Sequence, residues 1–240
     1  MTIAGLDLYA LIMLLYFVAV VPLLARREMA TLNRDIAQGK PDARVRVYRW
    51  TMAFQWGVTG VLVAGWLMLD RSLTSMGLEL AADRWQWLAI GVASALILVF
   101  AIVTIRDSRD PDKLAEVRTQ LGPLLVVTPH SVNELRHFIW VSITAGICEE
   151  ILYRGLLMTA LGMAFGLWPA VIVSSVVFGL GHMYQGVGGV VRTGLVGLVM
   201  ALVVVFTGSL FTAMVMHAVM DIVQGRMLWA AVNAEVDGAA

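Results

Sequence analysis

The stretch from Phe138 to Leu157 reads FIWVSITAGICEEILYRGLL. Its length suits a helix crossing the hydrocarbon core of a bilayer, which takes about 20 mostly apolar residues. Yet it carries Glu149, Glu150 and Arg154 well inside the run. Ionisable groups at that depth cost at least ~2.5–3.5 kcal/mol each on insertion scales, so they face the interior of a bundle and serve function. One such helix implies others around it, and the remaining sequence supplies them.

Across the 240 residues, 60% are hydrophobic and 14% charged, with mean hydropathy +0.82. A water-soluble domain has an apolar share near ~45–50%. Seven apolar runs can be placed: Leu8 to Leu24, Thr51 to Leu69, Trp85 to Ile105, Phe138 to Leu157, Trp168 to Tyr184, Gly189 to Phe206 and Ser209 to Trp229. The fold class expected is all-α, a polytopic integral membrane protein of about seven transmembrane helices with an intramembrane active-site cavity. The 17 Lys and Arg balance the 17 Asp and Glu, so no net field draws a polyanion and nucleic acid is not an expected partner. A single cysteine, Cys148, excludes an internal disulfide framework. The lipid bilayer is the partner that composition names.

The placement of charge sets an expected topology. Arg26, Arg27, Arg34, Lys40, Arg44, Arg46 and Arg49 follow the first run, and Arg106, Arg109, Lys113, Arg118 and Arg136 follow the third. By the positive-inside rule both stretches are cytoplasmic, and the mixed segment from Asp70 to Arg84 lies on the opposite side. The expected localisation is the plasma (inner) membrane, N-terminus outside and C-terminus cytoplasmic. The first run has no basic residue before it and Arg26-Arg27 after it, the pattern of a retained anchor rather than a cleaved signal peptide. Trp50, Trp66, Trp85, Trp87, Trp140, Trp168 and Trp229 fall at or near span ends and read as interfacial anchors. Ser131 with Glu134 forms a capping box that opens a helix leading into the fourth span. The chain thus divides into 1–137, the first three transmembrane helices with cytoplasmic loops; 138–230, a four-helix core with its lead-in from about 131; and 231–240, a tail.

From Phe138 to Trp229 the formal charges are Glu149, Glu150, Arg154, Arg192, Asp221 and Arg226, joined by His182 and His217. Glu150 and Arg154, four apart, share a helical face and can pair. Glu149 is turned about 100° away. Without that cation, in a low-dielectric cavity, it suits general base and acid work. His182 closes the fifth run with Phe178 one turn before it, and His217 lies within the seventh with Asp221 one turn after it. Counting from the turns near Gly166 and Gly208 at ~1.5 Å per residue puts Glu149 and His182 level at ~25 Å, and His217 shallower at ~14 Å. Cys148 reads as a small hydrophobe, and His130 and His137 as bland residues ahead of the fourth span. Tyr153 is either a hydrogen-bond partner of Glu149 or core. Gly179, Gly181, Gly186, Gly188, Gly189, Gly194 and Gly197 read as positions of close helix approach.

Glu149-Glu150-Ile-Leu-Tyr-Arg154, Phe178-Gly-Leu-Gly-His182 and His217-Ala-Val-Met-Asp221 stand in that order on separate runs. They resemble the EExxxR, FxxxH and HxxxN/D series of the CPBP family, the CAAX prenyl endopeptidases and their bacterial relatives, bacteriocin-immunity proteins among them. The resemblance covers roughly Ser131 to Gln224. It implies a glutamate- and histidine-dependent intramembrane endopeptidase acting on a membrane-associated protein or peptide. In that reading Glu149 activates water. Glu150 and Arg154, supported by Phe178, hold the local architecture, and His182 and His217 orient the water, bind a metal or stabilise the oxyanion. A divalent metal such as Zn²⁺ on Glu149, His182 and His217 is a legitimate donor set. A ligating Glu149 would no longer be free as a base, which tilts the reading away from a tightly held metal. Asp221 stands where the prenyl-processing members have Asn. An ionised carboxylate cannot donate to an oxyanion, so Asp221 is expected instead to orient His217 or to stay protonated.

Two other classes use the same residue types. One is a non-catalytic membrane scaffold or immunity-type protein that binds a partner. The other is a proton- or metal-coupled transporter, disfavoured because no second half repeats the first with matching interrupted helices.

Overall fold

The computed structural model describes residues 7–79 and 83–234, so the tail from 235 onward lies outside it. Among the described residues there are eight helices and no strand. Helix α1 spans Leu8–Ala37, α2 Ala43–Leu67, α3 Arg84–Asp107 and α4 Pro111–Gln120. One continuous helix, α5, covers 132–165, and α6 (Leu167–Gly181), α7 (Gly186–Thr207) and α8 (Leu210–Asn233) follow.

Local chemistry fixes the helix ends. The Asp83 carboxylate accepts from the backbone N–H groups of Trp85 and Gln86 at 2.8 and 2.9 Å, and Gln86 reaches back to the Asp83 N–H, so α3 starts with a full capping box. At α5 the box is displaced by one residue. Ser131 Oγ accepts from the Glu134 N–H at 3.2 Å, but the Glu134 carboxylate takes the His130 N–H at 2.6 Å. Glycines in the left-handed region or beyond it, Gly166 at φ 84° and Gly208 at φ 64°, make the α5–α6 and α7–α8 turns.

The outside of the bundle is apolar. Along α3, Leu88, Val92 and Leu96 are 58%, 52% and 63% exposed, an apolar stripe at helical spacing. Three helical stretches, Leu8–Ala37, Arg84–Asp107 and Met183–Thr207, are long and apolar enough to cross a membrane. The protein is an integral membrane protein. Inside, α5 runs through the centre between α2 and α8, α3 lies against α8, and α6 packs on α7. Close approach is built on small residues. A Cβ at Gly179 would stand 2.6 Å from the Val190 carbonyl, and one at Gly146 would stand 2.8 Å from the Ala218 Cβ. Gly186 and Gly188, expected to act alike, have open space around them.

Three expectations are corrected. The basic stretch after the first run is not a loop, because α1 continues through Arg26, Arg27 and Arg34 to Ala37 and α2 begins at Ala43. Trp66 is not an interfacial anchor. It is fully buried, its indole N–H donates to the Ser72 carbonyl at 3.0 Å, and the Arg71 guanidinium, paired with Asp7, lies 4.7 Å over its ring. The segment after α2 therefore folds back over the helix end and covers it. Trp50, Trp140 and Trp168, by contrast, are outward-facing. Finally, α6 stops at Gly181, short of the expected Tyr184. Its 15 residues cover about 22 Å at ~1.5 Å per residue, less than the ~30 Å hydrocarbon core.

Candidate active site

The early end of α6 places His182 at a helix terminus, followed by a tight turn over Met183–Gln185 that leads into α7. His182 Nδ1 donates to the Phe178 carbonyl at 2.9 Å, which leaves Nε2 as the uncommitted ring nitrogen. Phe178 is buried and central. Its ring meets His182 at 4.9 Å, His217 at 5.9 Å and Tyr153 at 5.0 Å between centroids, and the Arg154 guanidinium sits 4.4 Å over its ring.

Glu149 and Glu150 part company as their helical offset predicts. Glu150 is fully buried and accepts from Arg154 at 3.0 Å, while Arg154 also donates to the Gly197 carbonyl at 2.9 Å. The absence of a side chain at Gly197 makes room for both Arg154 and Phe178. Glu149 instead lines the cavity, with its Oε1 accepting from Gln55 Nε2 at 2.8 Å. Just beyond it, residues 151–158 wind as a wider π-helix, a local unwinding that recurs at functional sites. A second π-turn, over Tyr16–Val20 of α1, puts Phe17 4.6 Å from the Tyr153 ring.

His217 joins the two glutamates. Its Nδ1 lies 2.7 Å from Glu150 Oε1. With Glu150 ionised against Arg154 and able only to accept, Nδ1 carries the hydrogen. Nε2 then faces Glu149 Oε2 at 4.0 Å and Asp221 Oδ2 at 3.6 Å. Two carboxylates therefore bear on His217, Glu150 at Nδ1 and Asp221 at Nε2.

The depth count is corrected as well. α8 does not start level with Gly166. The Leu210 N–H donates to the Gly77 carbonyl at 2.8 Å, and Leu210 packs where a Cβ on Gly155 would meet it at 3.3 Å. The α7–α8 turn is therefore sunk into the bundle by roughly the eleven residues between positions 155 and 166, ~16 Å. That offset brings His217 to the level of Glu149. Met76, in the 68–83 segment, fills the space this leaves.

Glu149, His182, His217 and Asp221 all line one cavity of about 390 Å³. One wall, from α1 and α2, is largely apolar (Phe17, Leu24, Phe54, Val58), and the other carries the polar groups. The cavity extends to Glu28, Arg192 and Gln224, toward the end of the bundle that holds the basic stretches. There the strap formed by residues 122–131 crosses it, tied by Arg44 Nε to the Val126 carbonyl at 2.9 Å and Tyr48 Oη to the Val127 carbonyl at 2.6 Å. A larger apolar groove of about 460 Å³ between α3 and α7 lies away from all these groups and holds none of the chemistry.

Among the described residues no three His, Cys, Asp or Glu side chains converge as a metal-holding group. His217 commits one nitrogen to Glu150, and Glu149 commits one oxygen to Gln55. Cys148 is buried outside the cavity lining, and Tyr153 packs between Phe17 and Phe178. His130 and His137 bond to the carbonyls of Leu125 and Asn133, away from the cluster. Gln55 escaped the sequence reading. An amide within the apolar run from Thr51 to Leu69 was the available signal.

No curated protein and no solved structure matches the chain. Residues 131–223 match the family model described as type II CAAX prenyl endopeptidase Rce1-like. That segment runs from the cap of α5 to two residues past Asp221 and contains all three motifs. The matched residues carry the glutamate pair, Arg154, both histidines and Asp221, and the match agrees with the resemblance to the CPBP family.

Proposed function

We propose that the protein is an intramembrane endopeptidase that hydrolyses a peptide bond of a membrane-associated protein or peptide with water activated by Glu149. The observation that carries this is the division of labour between the two glutamates. Glu150 is sequestered against Arg154 and His217, whereas Glu149 opens onto the cavity with Oε2 facing His217 Nε2 across 4.0 Å. That separation is too long for a direct hydrogen bond and suits a water shared by both.

In the proposed reaction Glu149 takes a proton from water as the oxygen attacks the peptide carbonyl, then delivers it to the leaving amine. His217 Nε2 orients the water. His182 Nε2, in the same cavity, donates in this reading to the developing oxyanion when it carries a proton. Asp221 faces Nε2 of His217 at 3.6 Å. No step requires a metal. The apolar wall from α1 and α2 supports a lipid-embedded or lipid-linked substrate lying beside the polar wall.

The test compares new protein N- and C-termini in membranes of cells expressing wild type or Glu149→Gln at matched abundance. Termini that arise only with the wild type are expected and identify the substrate. Identical termini, with the variant still supporting the wild-type phenotype, would replace the enzyme with a partner-binding scaffold.

A further inference from the structure

Gln55 lies on α2, outside residues 131–223 and outside every motif read from the sequence. Its Nε2 donates to Glu149 Oε1 at 2.8 Å across 94 positions of chain. Its own Oε1 is buried without a donor among the described residues. A buried acceptor in that state is costly, so the side chain is not there to complete a network of its own. Its contact with Glu149 is the feature that accounts for an amide at this depth in an otherwise apolar helix.

We propose that Gln55 is a positioning residue for Glu149. A glutamate tip on three rotatable bonds can present either oxygen to the cavity. With Oε1 held by the amide, Oε2 is the oxygen left facing His217 Nε2. In the hydrolysis proposed above, on which this inference rests, one water O–H bond breaks and its proton goes to Oε2. The water oxygen forms the new bond to the peptide carbon. The amide donates to Oε1 before and after the transfer, since that atom is an acceptor in the carboxylate and in the acid alike. A helix from the N-terminal part of the chain thus completes a site whose motifs all lie in the C-terminal part.

Two replacements remove the donor. Gln55→Met keeps the length of the side chain, and Gln55→Glu keeps its shape but can only accept when ionised. On a farnesylated CAAX-type peptide in lipid nanodiscs, each variant should lose about 100-fold in kcat, the scale of a misplaced catalytic group. KM should stay within about twofold, because Gln55 orients Glu149 rather than substrate. An unchanged kcat, or a loss confined to KM, overturns the proposal. A second readout needs no turnover. The carboxylate infrared band of Glu149, assigned by its disappearance in Glu149→Gln, should shift in both Gln55 variants with the helical circular dichroism intact. A band that stays in place overturns the positioning role. If the comparison of termini finds no cleavage by the wild type, the peptidase reading fails, while the infrared shift still decides whether Gln55 holds Glu149.

Discussion

Replacing Arg154 by Met tests the most deeply buried charge pair in the molecule. Arg154 is 1% exposed and Glu150 is 0% exposed. The substitution removes the 3.0 Å bond to Glu150 and the 2.9 Å bond to the Gly197 carbonyl, along with the contact on Phe178. Breaking a buried pair by deleting one partner costs about 3–5 kcal/mol, because the other charge is left uncompensated. Met fills similar volume, so a cavity term adds little. The Glu150→Gln, Arg154→Met double variant should recover much of this loss. A neutral amide oxygen at 150 still accepts from His217 Nδ1, and no lone charge remains. Reversible unfolding in mixed micelles, followed by circular dichroism, gives the four corners of the cycle. The single Arg154→Met variant is expected to lose about 3–5 kcal/mol and the cycle to show a coupling of roughly 2 kcal/mol or more. Additive losses would refute the reasoning, because they would mean that the two side chains do not satisfy each other.

Three further outcomes are expected. Gly179→Ala should destabilise the protein by about 1–3 kcal/mol, because the new methyl meets backbone, the Val190 carbonyl at 2.6 Å. Gly194→Ala should be nearly neutral, since its contact, the Ser175 carbonyl, is 3.6 Å away, and equal melting temperatures for the two variants would count against the helix contact described. At the strap, burial and then the nearby Arg44 hold the His130 imidazole below its ordinary value of 6.5, with Glu134 opposing. The folded strap therefore favours the neutral ring, and its protection is complete above about pH 6.5 and lost as pH falls through the lower folded value. Hydrogen exchange at Val127 and Thr128, corrected for intrinsic rates, should accelerate over that range, and flat protection would count against the linkage.

Much of the fold was legible because membrane helices advertise themselves by length and apolarity, and the turns at Gly166 and Gly208 stood where glycine interrupts the runs. The pairing of Glu150 with Arg154 and the turning of Glu149 away from that pair followed from helical geometry alone. Other features depend on where helices start in depth, which periodicity does not encode. The sunken start of α8 brought His217 into the site, and only the contacts of Leu210 with Gly77 and Gly155 reveal it. The contact of Glu150 with His217 needed α5 and α8 to be placed against each other. Trp66 was misread because a tryptophan at a span end looks the same whether lipid or a folded-back segment covers it.

The short α6 has a consequence for water itself. α6 ends at Gly181 beside the polar recess, and its last carbonyl groups are met within the protein, since His182 Nδ1 donates to the Phe178 carbonyl and the His182 N–H to the Gly179 carbonyl. Beneath the recess, Leu156, Leu157, Leu161, Met200 and Leu210 are 2% exposed or less and form an unbroken apolar plug. The molecule is thus a well with a dry floor rather than a conduit. Water entering the recess would meet that plug before it reached the far end of the bundle.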